Sequence, residues 1–291
     1  MGAIKAALTR RGLLASTQGH IPDEVGGISD DSRTVRHGDL FIAVRGWNSD
    51  GHDFLDAAAH RGAAAAIVED PSRTKLPSMV VREGRQAAAV AAATAYGDPA
   101  RELRLLGVTG TNGKTTTTSI MRHLFDDGDA SSASIGTLGV LVGSEGETLA
   151  GGGGLTTPGP VELQRVLREL VDRRVRTVAM EVSSHSLDQR RIDGLDFDVV
   201  VFTNLTRDHL DYHGTMENYL AAKVRLLDYL KRDGTAVVNA DATEWGALKP
   251  SAPQISFSIL GSADISARDV RFTPDGSTWR LVTPSGAADV T

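Results

Sequence analysis

The sequence predicts an α/β protein, in which short strands alternate with helices. Three observations support this prediction. Segments 64–68 and 177–182 are short and mostly apolar, as expected for buried strands. Segment 160–172 carries apolar residues at helical spacing on one side. Segment 105–116 runs from an apolar strand through a glycine-rich turn into a helix.

The chain is long enough for two domains, and a turn near residue 98 divides it. Gly97, Asp98 and Pro99 follow an alanine-rich segment, and proline cannot continue a helix. We therefore predict a small N-terminal α/β domain over residues 1–98 and a central domain over residues 99–291. The first domain is expected to contain strands at 39–44, 64–68 and 79–81 and helices at 54–61 and 85–96.

The central domain is predicted to be of the P-loop type, with a mostly parallel sheet flanked by helices. Its strands are expected at 103–108, 177–182, 199–202 and 235–238, and its helices at 115–125, 160–172 and 216–230. The tail from 255 to 291 alternates apolar and polar residues on both sides of Pro274, Asp275 and Gly276, which is typical of a hairpin.

Composition excludes several classes of site. Acidic residues outnumber basic ones, 37 to 31, and the two kinds are interspersed, which argues against a nucleic-acid-binding surface. The sequence has no cysteine, so a disulfide, a catalytic thiolate and cysteine-ligated zinc are excluded. No run approaches the ~18 apolar residues of a membrane-spanning helix. We therefore expect a cytoplasmic protein.

Residues 110–116, Gly-Thr-Asn-Gly-Lys-Thr-Thr, form the strongest functional motif. Inward-pointing N–H groups of such a turn, together with a helix N-terminus, suit a polyphosphate. Lys114 is expected to reach the outer phosphates, and the Thr115 hydroxyl to hold Mg²⁺. The strict pattern requires glycine where Val108 stands, and Gly107 is one place too early. The alternative is a glycine turn with a chance lysine, but the flanking strand and helix favour a nucleotide-phosphate loop.

Two further strand ends carry groups suited to a metal or a nucleotide. Glu181 lies at the end of an otherwise apolar strand, where a buried carboxylate is costly unless it meets a cation or hydrogen-bond donors. Because parallel sheets place ligands at the carboxyl ends of their strands, a Mg²⁺ ligand is favoured over a solvated glutamate. His209 follows the next strand, and its place in the same crevice favours a metal or nucleotide contact over an exposed loop position.

Lys223 interrupts an apolar face of the helix predicted at 216–230. The apolar residues of that face fall within about 120° at ~100° per residue; they are Met216, Tyr219, Leu220, Leu226, Leu227 and Leu230. In one interpretation the lysine snorkels, so that its amine reaches water. In the other, burial favours the neutral amine, which can take up CO₂ as a carbamate. Beside Glu181 and His209, a carbamate would be a metal ligand.

Several stretches together resemble the Mur ligase family, most closely its MurE type. In the central domain they are 110–116, 180–185, 203–211 and 221–223. In the first domain they are 31–33, 38–41 and 50–52. The resemblance covers essentially the whole chain, and it accounts for the shifted glycine of the phosphate loop.

The resemblance implies an ATP-dependent ligase of peptidoglycan biosynthesis. Such an enzyme adds an amino acid, meso-diaminopimelate or L-lysine, to UDP-N-acetylmuramoyl-L-alanyl-D-glutamate through an acyl phosphate. By matching position, Gly110, Thr111, Asn112, Gly113, Lys114, Thr115 and Thr116 would bind ATP. Lys114, Lys223 and His209 would be catalytic. Thr115 and Glu181 would hold one Mg²⁺, and Glu181, His209 and carbamylated Lys223 a second.

The same resemblance implies that the N-terminal domain binds the uridine end of the UDP substrate. Ser32, Trp47, Asn48 and Ser49 would contact the uridine end, and Thr156, Thr157, Ser183, Gln189 and Arg191 would contact the substrate further along. We expect a monomer that binds neither nucleic acid nor a membrane.

One part of the family pattern has no counterpart in this sequence. Mur ligases have a third, C-terminal domain that binds the amino acid, and the Asp-Asn-Pro-Arg motif of many members is absent. The chain is therefore expected to be a fragment or a truncated relative, incomplete for turnover. Three functions stay open: a MurE-type ligase, a folylpolyglutamate synthase-like ligase, which the Asp-Ser-Arg at 31–33 disfavours, and a non-catalytic module that binds ATP or a UDP-sugar.

Overall fold

A computed structural model of the chain describes residues 1–47, 49–128, 131–152, 154–274 and 276–291, with the backbone alone at Ala247. The chain forms two compact units. The first unit comprises Met1–Leu103, Gly151–Arg176 and Gln189–Leu195. The second unit comprises Arg104–Ala150, Thr177–Asp188 and Asp196–Thr291.

The elements of regular structure alternate along most of the chain. The strands are β1 (Leu14–Gln18), β2 (Ile28–Ser29), β3 (Leu40–Ile42), β4 (Ala65–Val68), β5 (Ser78–Val81), β6 (Arg104–Thr109), β7 (Ser132–Gly136), β8 (Gly139–Val142), β9 (Glu147–Leu149), β10 (Thr177–Glu181), β11 (Phe197–Phe202), β12 (Leu230–Asn239), β13 (Gln254–Ser258), β14 (Ile265–Thr273), β15 (Gly276–Thr283) and β16 (Gly286–Val290). The helices are α1 (Gly2–Arg10), α2 (Leu55–His60), α3 (Gly84–Ala95), α4 (Lys114–Phe125), α5 (Pro160–Asp172), α6 (Ser184–Asp188), α7 (Leu210–His213) and α8 (Met216–Val224). The predicted α/β class is confirmed.

The first unit is built on a sheet with the strand order β1-β5-β4-β3-β2. Strand β1 is antiparallel to β5, and the other pairs are parallel. Successive residues of β3 point into different cores, since Leu40 packs in one apolar cluster and Phe41 in another. Both faces of this sheet are therefore covered at its inner strands, which is why β3, β4 and β5 are fully buried and almost wholly apolar.

Helix α5 lies in the first unit, although its residues follow the turn predicted to end the N-terminal domain. It packs against α3. The Arg168 guanidinium donates to the carbonyl oxygens of Tyr96 at 3.0 Å and of Gly97 at 3.3 Å. The compact units do not coincide with the bounds 1–98 and 99–291, and those domain bounds stay a prediction.

The second unit is built on a sheet with the order β16-β15-β14-β13-β12-β11-β6-β10-β7-β8-β9. The strands from β7 through β14 in this order pair in parallel, and antiparallel strands complete both ends. The predicted mostly parallel sheet is confirmed, as is the antiparallel pairing expected in the tail. Asp275, in the middle of that predicted turn, lies outside the described residues.

In the second unit, one predicted helix was too long and three strands were missed. The helix predicted at 216–230 ends at Val224, because a 3₁₀ turn over Arg225–Tyr229 follows and Leu230 already pairs with β11. The strands β7, β8 and β9 were missed, because small residues such as those of β7 give no alternating apolar pattern. Among the described residues, no helix has both the length and the apolar character needed to cross a membrane.

Candidate functional site

The candidate site of the second unit lies at the carboxyl end of β6. Strand β10 flanks β6 on one side and β11 on the other, and both run parallel to it. The strand order changes direction at β6, because strands that come later in the chain lie on both sides of it. Ligands of open parallel sheets bind at such a reversal, beyond the carboxyl ends of the strands. The loop at 110–113 occupies this position.

The backbone of this loop depends on two glycines. Gly110 has a φ of +147°, and a Cβ there would overlap Thr203 Oγ1. Gly113 has a φ of +86° and is the N-cap of α4. Both conformations are unfavourable for residues with a side chain. Gly107 is required for packing, because a Cβ at that position would lie only 3.0 Å from the Phe197 ring.

The loop is held by the segment that follows β11. The Thr111 N–H donates to the carbonyl oxygen of Asn204 at 2.8 Å, and the Asn112 N–H donates to Asn204 Oδ1 at 2.9 Å. Thr203 Oγ1 donates to the carbonyl oxygen of Asn112 at 2.7 Å. Thr206 N–H donates to Thr111 Oγ1 at 2.9 Å. The loop is therefore fixed by hydrogen bonds to the segment that follows β11. Its next N–H groups belong to the first turn of α4, which has no intrahelical acceptors for them.

Two lysines donate to the same backbone oxygen of this loop. Lys114 Nζ lies 2.9 Å from the carbonyl oxygen of Gly110 and 2.8 Å from that of Thr111. Lys223 Nζ lies 2.8 Å from the same Gly110 oxygen. Burial lowers the pKa of Lys114, against the opposing effect of the Glu181 charge. Two basic side chains are therefore concentrated where a polyphosphate would lie.

The interpretation of Lys223 as a snorkelling lysine is wrong. The residue is only 1% exposed, and its amine donates inside the protein instead of reaching water. Burial lowers its pKa to about 7, and the nearby Lys114 charge adds to the shift. Desolvation of an ammonium favours its neutral form. The neutral form of Lys223 is therefore far more populated near pH 7 than that of an exposed lysine.

Glu181 ends β10 and is 1% exposed. Its Oε1 accepts from the Thr137 N–H at 2.9 Å, and its Oε2 lies 3.2 Å from Thr137 Oγ1. The expectation that a carboxylate here meets hydrogen-bond donors is confirmed. Thr115 lies in the first turn of α4, as the motif predicted.

His209 lies between β11 and α7 in the left-handed conformation, with a φ of +50°. Its side chain is 44% exposed, and Nε2 lies 3.6 Å from Asp208 Oδ2. Its ring centroid lies 4.8 Å from that of His185 and 6.0 Å from that of Tyr219. His209 therefore belongs to an aromatic cluster that also contacts Lys223 through Tyr219.

The donor types of these residues fit Mg²⁺. A buried carboxylate and a threonine hydroxyl are oxygen ligands of the kind that Mg²⁺ prefers, whereas the imidazole of His209 would be a less usual ligand for this ion. In the part of the chain that the structure describes, no three His, Cys, Asp or Glu side chains converge on one point. Of the expected Mg²⁺ ligands, only Glu181 and His209 belong to these residue types. This observation therefore does not test the expected ligand set, which stays a prediction.

The first unit carries most of the residues expected to contact the UDP substrate. Ser32 and Ser49 line a cavity of about 670 Å³, together with the apolar side chains of Phe54, Leu155 and Pro158. Trp47 is 63% exposed. Asn48 lies outside the described residues. The charged residues Asp30, Asp31, Arg33 and Glu162 also line this cavity, so its wall combines apolar, polar and charged groups.

A second group of expected substrate contacts comes together elsewhere in the first unit. The Arg191 guanidinium donates to the carbonyl oxygen of Thr157 at 3.1 Å and to Gln189 Oε1 at 2.6 Å. Thr156 precedes this buried Thr157. Ser183 belongs to the second unit, where its Oγ accepts from the Ser186 N–H at 3.1 Å.

Sequence reasoning missed Thr137 and the hydroxyl of Tyr219, which shape the site of the second unit, whereas Asn204 belongs to the stretch 203–211 that the sequence had already indicated. Thr137 holds the Glu181 carboxylate, and Asn204 holds the phosphate loop. Tyr219 was assigned to an apolar face, yet its hydroxyl lies 3.2 Å from Thr111 Oγ1. The position of Thr137 and Asn204 directly after strands was a usable signal, since ligand sites form at strand ends.

Comparison with known proteins gives consistent results. The family described as "Mur ligase middle domain" matches residues 108–291, and the "Mur ligase family, catalytic domain" matches residues 24–104. The UDP-N-acetylmuramoyl-L-alanyl-D-glutamate–2,6-diaminopimelate ligase of Geobacter metallireducens is 45% identical, over 92% of this chain and 54% of that protein. The ligase of the same name from Geobacillus kaustophilus is 43% identical, over 92% of this chain and 56% of that protein.

A solved structure of a protein with that name is similar with a TM-score of 0.77 and 28% identity, over 95% of this chain and 57% of that chain. The chain thus spans about half the length of the curated relatives it matches.

Proposed function

The chain belongs to the Mur ligase family, and on this premise we propose that it provides the ATP-binding and UDP-substrate-binding parts of a MurE-type ligase. The proposed reaction joins an amino acid, meso-diaminopimelate or L-lysine, to UDP-N-acetylmuramoyl-L-alanyl-D-glutamate in peptidoglycan biosynthesis. The observation that carries the proposal is the phosphate loop at the reversal of the sheet, where Lys114 and Lys223 share the Gly110 oxygen. The activity belongs to a protein of the relatives' length, about half of which this chain spans.

ATP is the proposed ligand of residues 110–116. In the first step of the reaction, a carboxylate oxygen of the substrate attacks the γ-phosphorus and ADP leaves, which gives an acyl phosphate. The amine of the amino acid then attacks the acyl carbon, and phosphate leaves as the amide forms. Lys114 leaves its loop carbonyls to meet the phosphates, where its charge stabilises the negative charge that grows on the transferred group.

Mg²⁺ is the proposed metal, and it would neutralise phosphate charge when bound. Thr115 and Glu181 would hold one ion, and Glu181, His209 and carbamylated Lys223 a second. Support for the carbamate comes from the burial of Lys223 and from its pKa of about 7, because the amine must lose its proton before it bonds to the carbon of CO₂. The amine proton released on bond formation goes to solvent, and the product carries one negative charge.

The first unit is proposed to bind the UDP substrate. Ser32 and Ser49 on the cavity wall and the exposed Trp47 ring would contact its uridine end, with Asn48 between them in sequence. Thr156, Thr157, Gln189 and Arg191 would contact the rest of the substrate, together with Ser183 of the second unit. The protein is proposed to act in the cytoplasm as a monomer.

The proposal is tested by calorimetric titration of MgATP into the wild-type chain and into Lys114→Ala. We expect the variant to bind at least tenfold more weakly, since a hydrogen bond to a charged group contributes about 1.5–3 kcal/mol. Its free energy of unfolding should fall by about 2 kcal/mol at most, because the half-buried amine loses its hydrogen bonds to the Gly110 and Thr111 oxygens.

Lys231→Ala is the matched control. Lys231 lies in the same unit and pairs with Asp198 at 2.8 Å, away from the phosphate loop. MgATP affinity in this variant should equal that of the wild type. Equal affinity in Lys114→Ala and the wild type would rule out the assignment of the phosphate loop.

A further inference from the structure

Tyr219 lies on α8 and is only 1% exposed. Its hydroxyl lies 3.2 Å from Thr111 Oγ1 in the phosphate loop. The same Thr111 hydroxyl lies 3.2 Å from the carbonyl oxygen of Thr206 and accepts the Thr206 N–H at 2.9 Å. A buried phenylalanine would fill the same space, so packing alone does not account for this hydroxyl.

The ring of Tyr219 contacts groups on the other side of the site. Lys223 Nζ lies over the ring face, 4.5 Å from its centroid. The His209 ring meets it edge-on at 6.0 Å, and the buried His213 ring lies 5.3 Å away. His213 is itself held, because its Nε2 lies 2.9 Å from Ser184 Oγ. The Tyr219 side chain thus contacts the phosphate loop through its hydroxyl oxygen. Its ring contacts Lys223 and His209.

We propose that Tyr219 is a positioning residue that sets the phosphate loop and the Lys223–His209 pair at a fixed distance from each other. The hydroxyl orients Thr111, and the ring face orients the Lys223 side chain, so the phosphate loop and the proposed metal side of the site are both ordered before ATP binds. Preorganised groups bind charge more strongly than groups that must first be ordered. The inference rests on the proposed binding of ATP by residues 110–116.

The hydroxyl contact is tested by a double-mutant cycle between Tyr219 and Thr111. Tyr219→Phe should weaken MgATP binding about fivefold, which corresponds to a hydrogen bond of ~1 kcal/mol. Thr111→Val removes the same hydrogen bond, so Tyr219→Phe should have no further effect in that background. Thr111→Ser keeps the hydroxyl, so its affinity and its sensitivity to Tyr219→Phe should both match the wild type.

The ring contact is tested by Tyr219→Leu, with ATP titrated in the presence of Mg²⁺ and in the presence of EDTA. Tyr219→Phe should weaken both titrations equally, because it alters only the phosphate loop. Tyr219→Leu should in addition reduce the gain in affinity that Mg²⁺ gives, because Lys223 and His209 lose the surface that orients them.

Tyr212→Phe is the control for loss of a tyrosine hydroxyl. Tyr212 donates to Asp188 Oδ2 at 2.7 Å in the same unit. Its MgATP affinity should stay within twofold of the wild type. A purely structural Tyr219 would lower the thermal midpoint of its variants but leave ATP affinity unchanged with and without Mg²⁺, and that result would overturn the proposal. If Lys114→Ala loses MgATP binding while the Tyr219 variants bind normally, the proposed ATP site stands and only the role of Tyr219 is refuted.

Discussion

Glu181 and Lys223 in the second unit are each 1% exposed, whereas Trp47 in the first unit is 63% exposed. The buried pair is fixed by backbone contacts, since Glu181 accepts from the Thr137 N–H and Lys223 donates to the Gly110 oxygen. Ser32 and Ser49 instead lie on the wall of an open cavity. The proposed phosphate site is thus part of the folded core of its unit, and the proposed uridine site is part of a surface.

This difference predicts how each region responds to mutation. Groups that are fixed inside a core contribute to stability and to function together, so their loss is costly for both. Groups on a surface contribute to ligand binding with little effect on stability. Substitutions in the two regions should therefore differ more in their effect on unfolding than in their effect on ligand binding.

The largest effect is expected for Gly110→Ala. Its φ of +147° is unfavourable for alanine, and the new Cβ would overlap Thr203. Strain and overpacking together should lower the free energy of unfolding by about 4 kcal/mol, and MgATP binding should be lost. In the control Gly113→Ala, the new Cβ would lie 3.9 Å from the Thr203 side chain, so only backbone strain of about 1–2 kcal/mol remains. Urea unfolding that gives equal losses for both variants would contradict the role assigned to the Thr203 contact.

A smaller effect is expected from the titration of Lys223. Burial lowers the folded-state pKa to about 7 from its ordinary value of 10.5, so between these values the unfolded chain holds the proton and the folded chain does not. The free energy of unfolding should therefore rise as the pH increases from about 7 to 10.5. The full destabilisation caused by burying the amine should be present below pH 7. Lys223→Met should lack this rise, which should be on the order of 3 kcal/mol in CO₂-free buffer.

The measurement is urea unfolding of the wild type and Lys223→Met at pH 7 and pH 10. Parallel pH profiles would contradict burial of the amine. With ¹³C-bicarbonate added, a carbamate carbon should be visible by nuclear magnetic resonance in the wild type and missing from the variant. Its absence from both would exclude the carbamate and leave the burial intact.

The smallest effect on stability is expected for Trp47→Ala. Because the side chain is 63% exposed, the free energy of unfolding should change by less than about 0.5 kcal/mol. UDP affinity, measured by calorimetry, should nevertheless fall several-fold, since an aromatic ring supplies a large contact area. If Trp47→Ala lowered the free energy of unfolding by more than about 1.5 kcal/mol, the proposed difference in stability effect between the buried phosphate site and the exposed uridine site would be wrong.

The sequence was most informative where a polar residue interrupts an apolar pattern. The burial of Glu181 and Lys223 was predictable, because each stands among apolar residues of a strand or a helix face. The strand, glycine turn and helix around residues 110–116 were predictable from the glycines and the Lys-Thr-Thr, although Val108 breaks the strict phosphate-loop pattern.

Contacts between distant parts of the chain were not predictable from local patterns. Asn204 lies 92 residues from Asn112, and Tyr219 lies 108 residues from Thr111. Periodicity assigns a tyrosine to an apolar face but does not show what its hydroxyl meets. The early end of α8 was missed for the same reason, because pairing of Leu230 with β11 overrides a sequence that continues the helical pattern.

The connectivity of the sheet that holds the phosphate loop has a consequence for how the protein is made. Strand β6 pairs with β10 and β11, and between these strands the chain twice enters the first unit, at 151–176 and 189–195. During synthesis, the loop at 110–113 therefore leaves the ribosome long before Asn204, which fixes it. Contacts of such high sequence separation form slowly, because the intervening chain must first be ordered. The loop at 110–113 is thus among the earliest segments of the second unit to be synthesised, and we expect it to be among the latest to reach its native conformation.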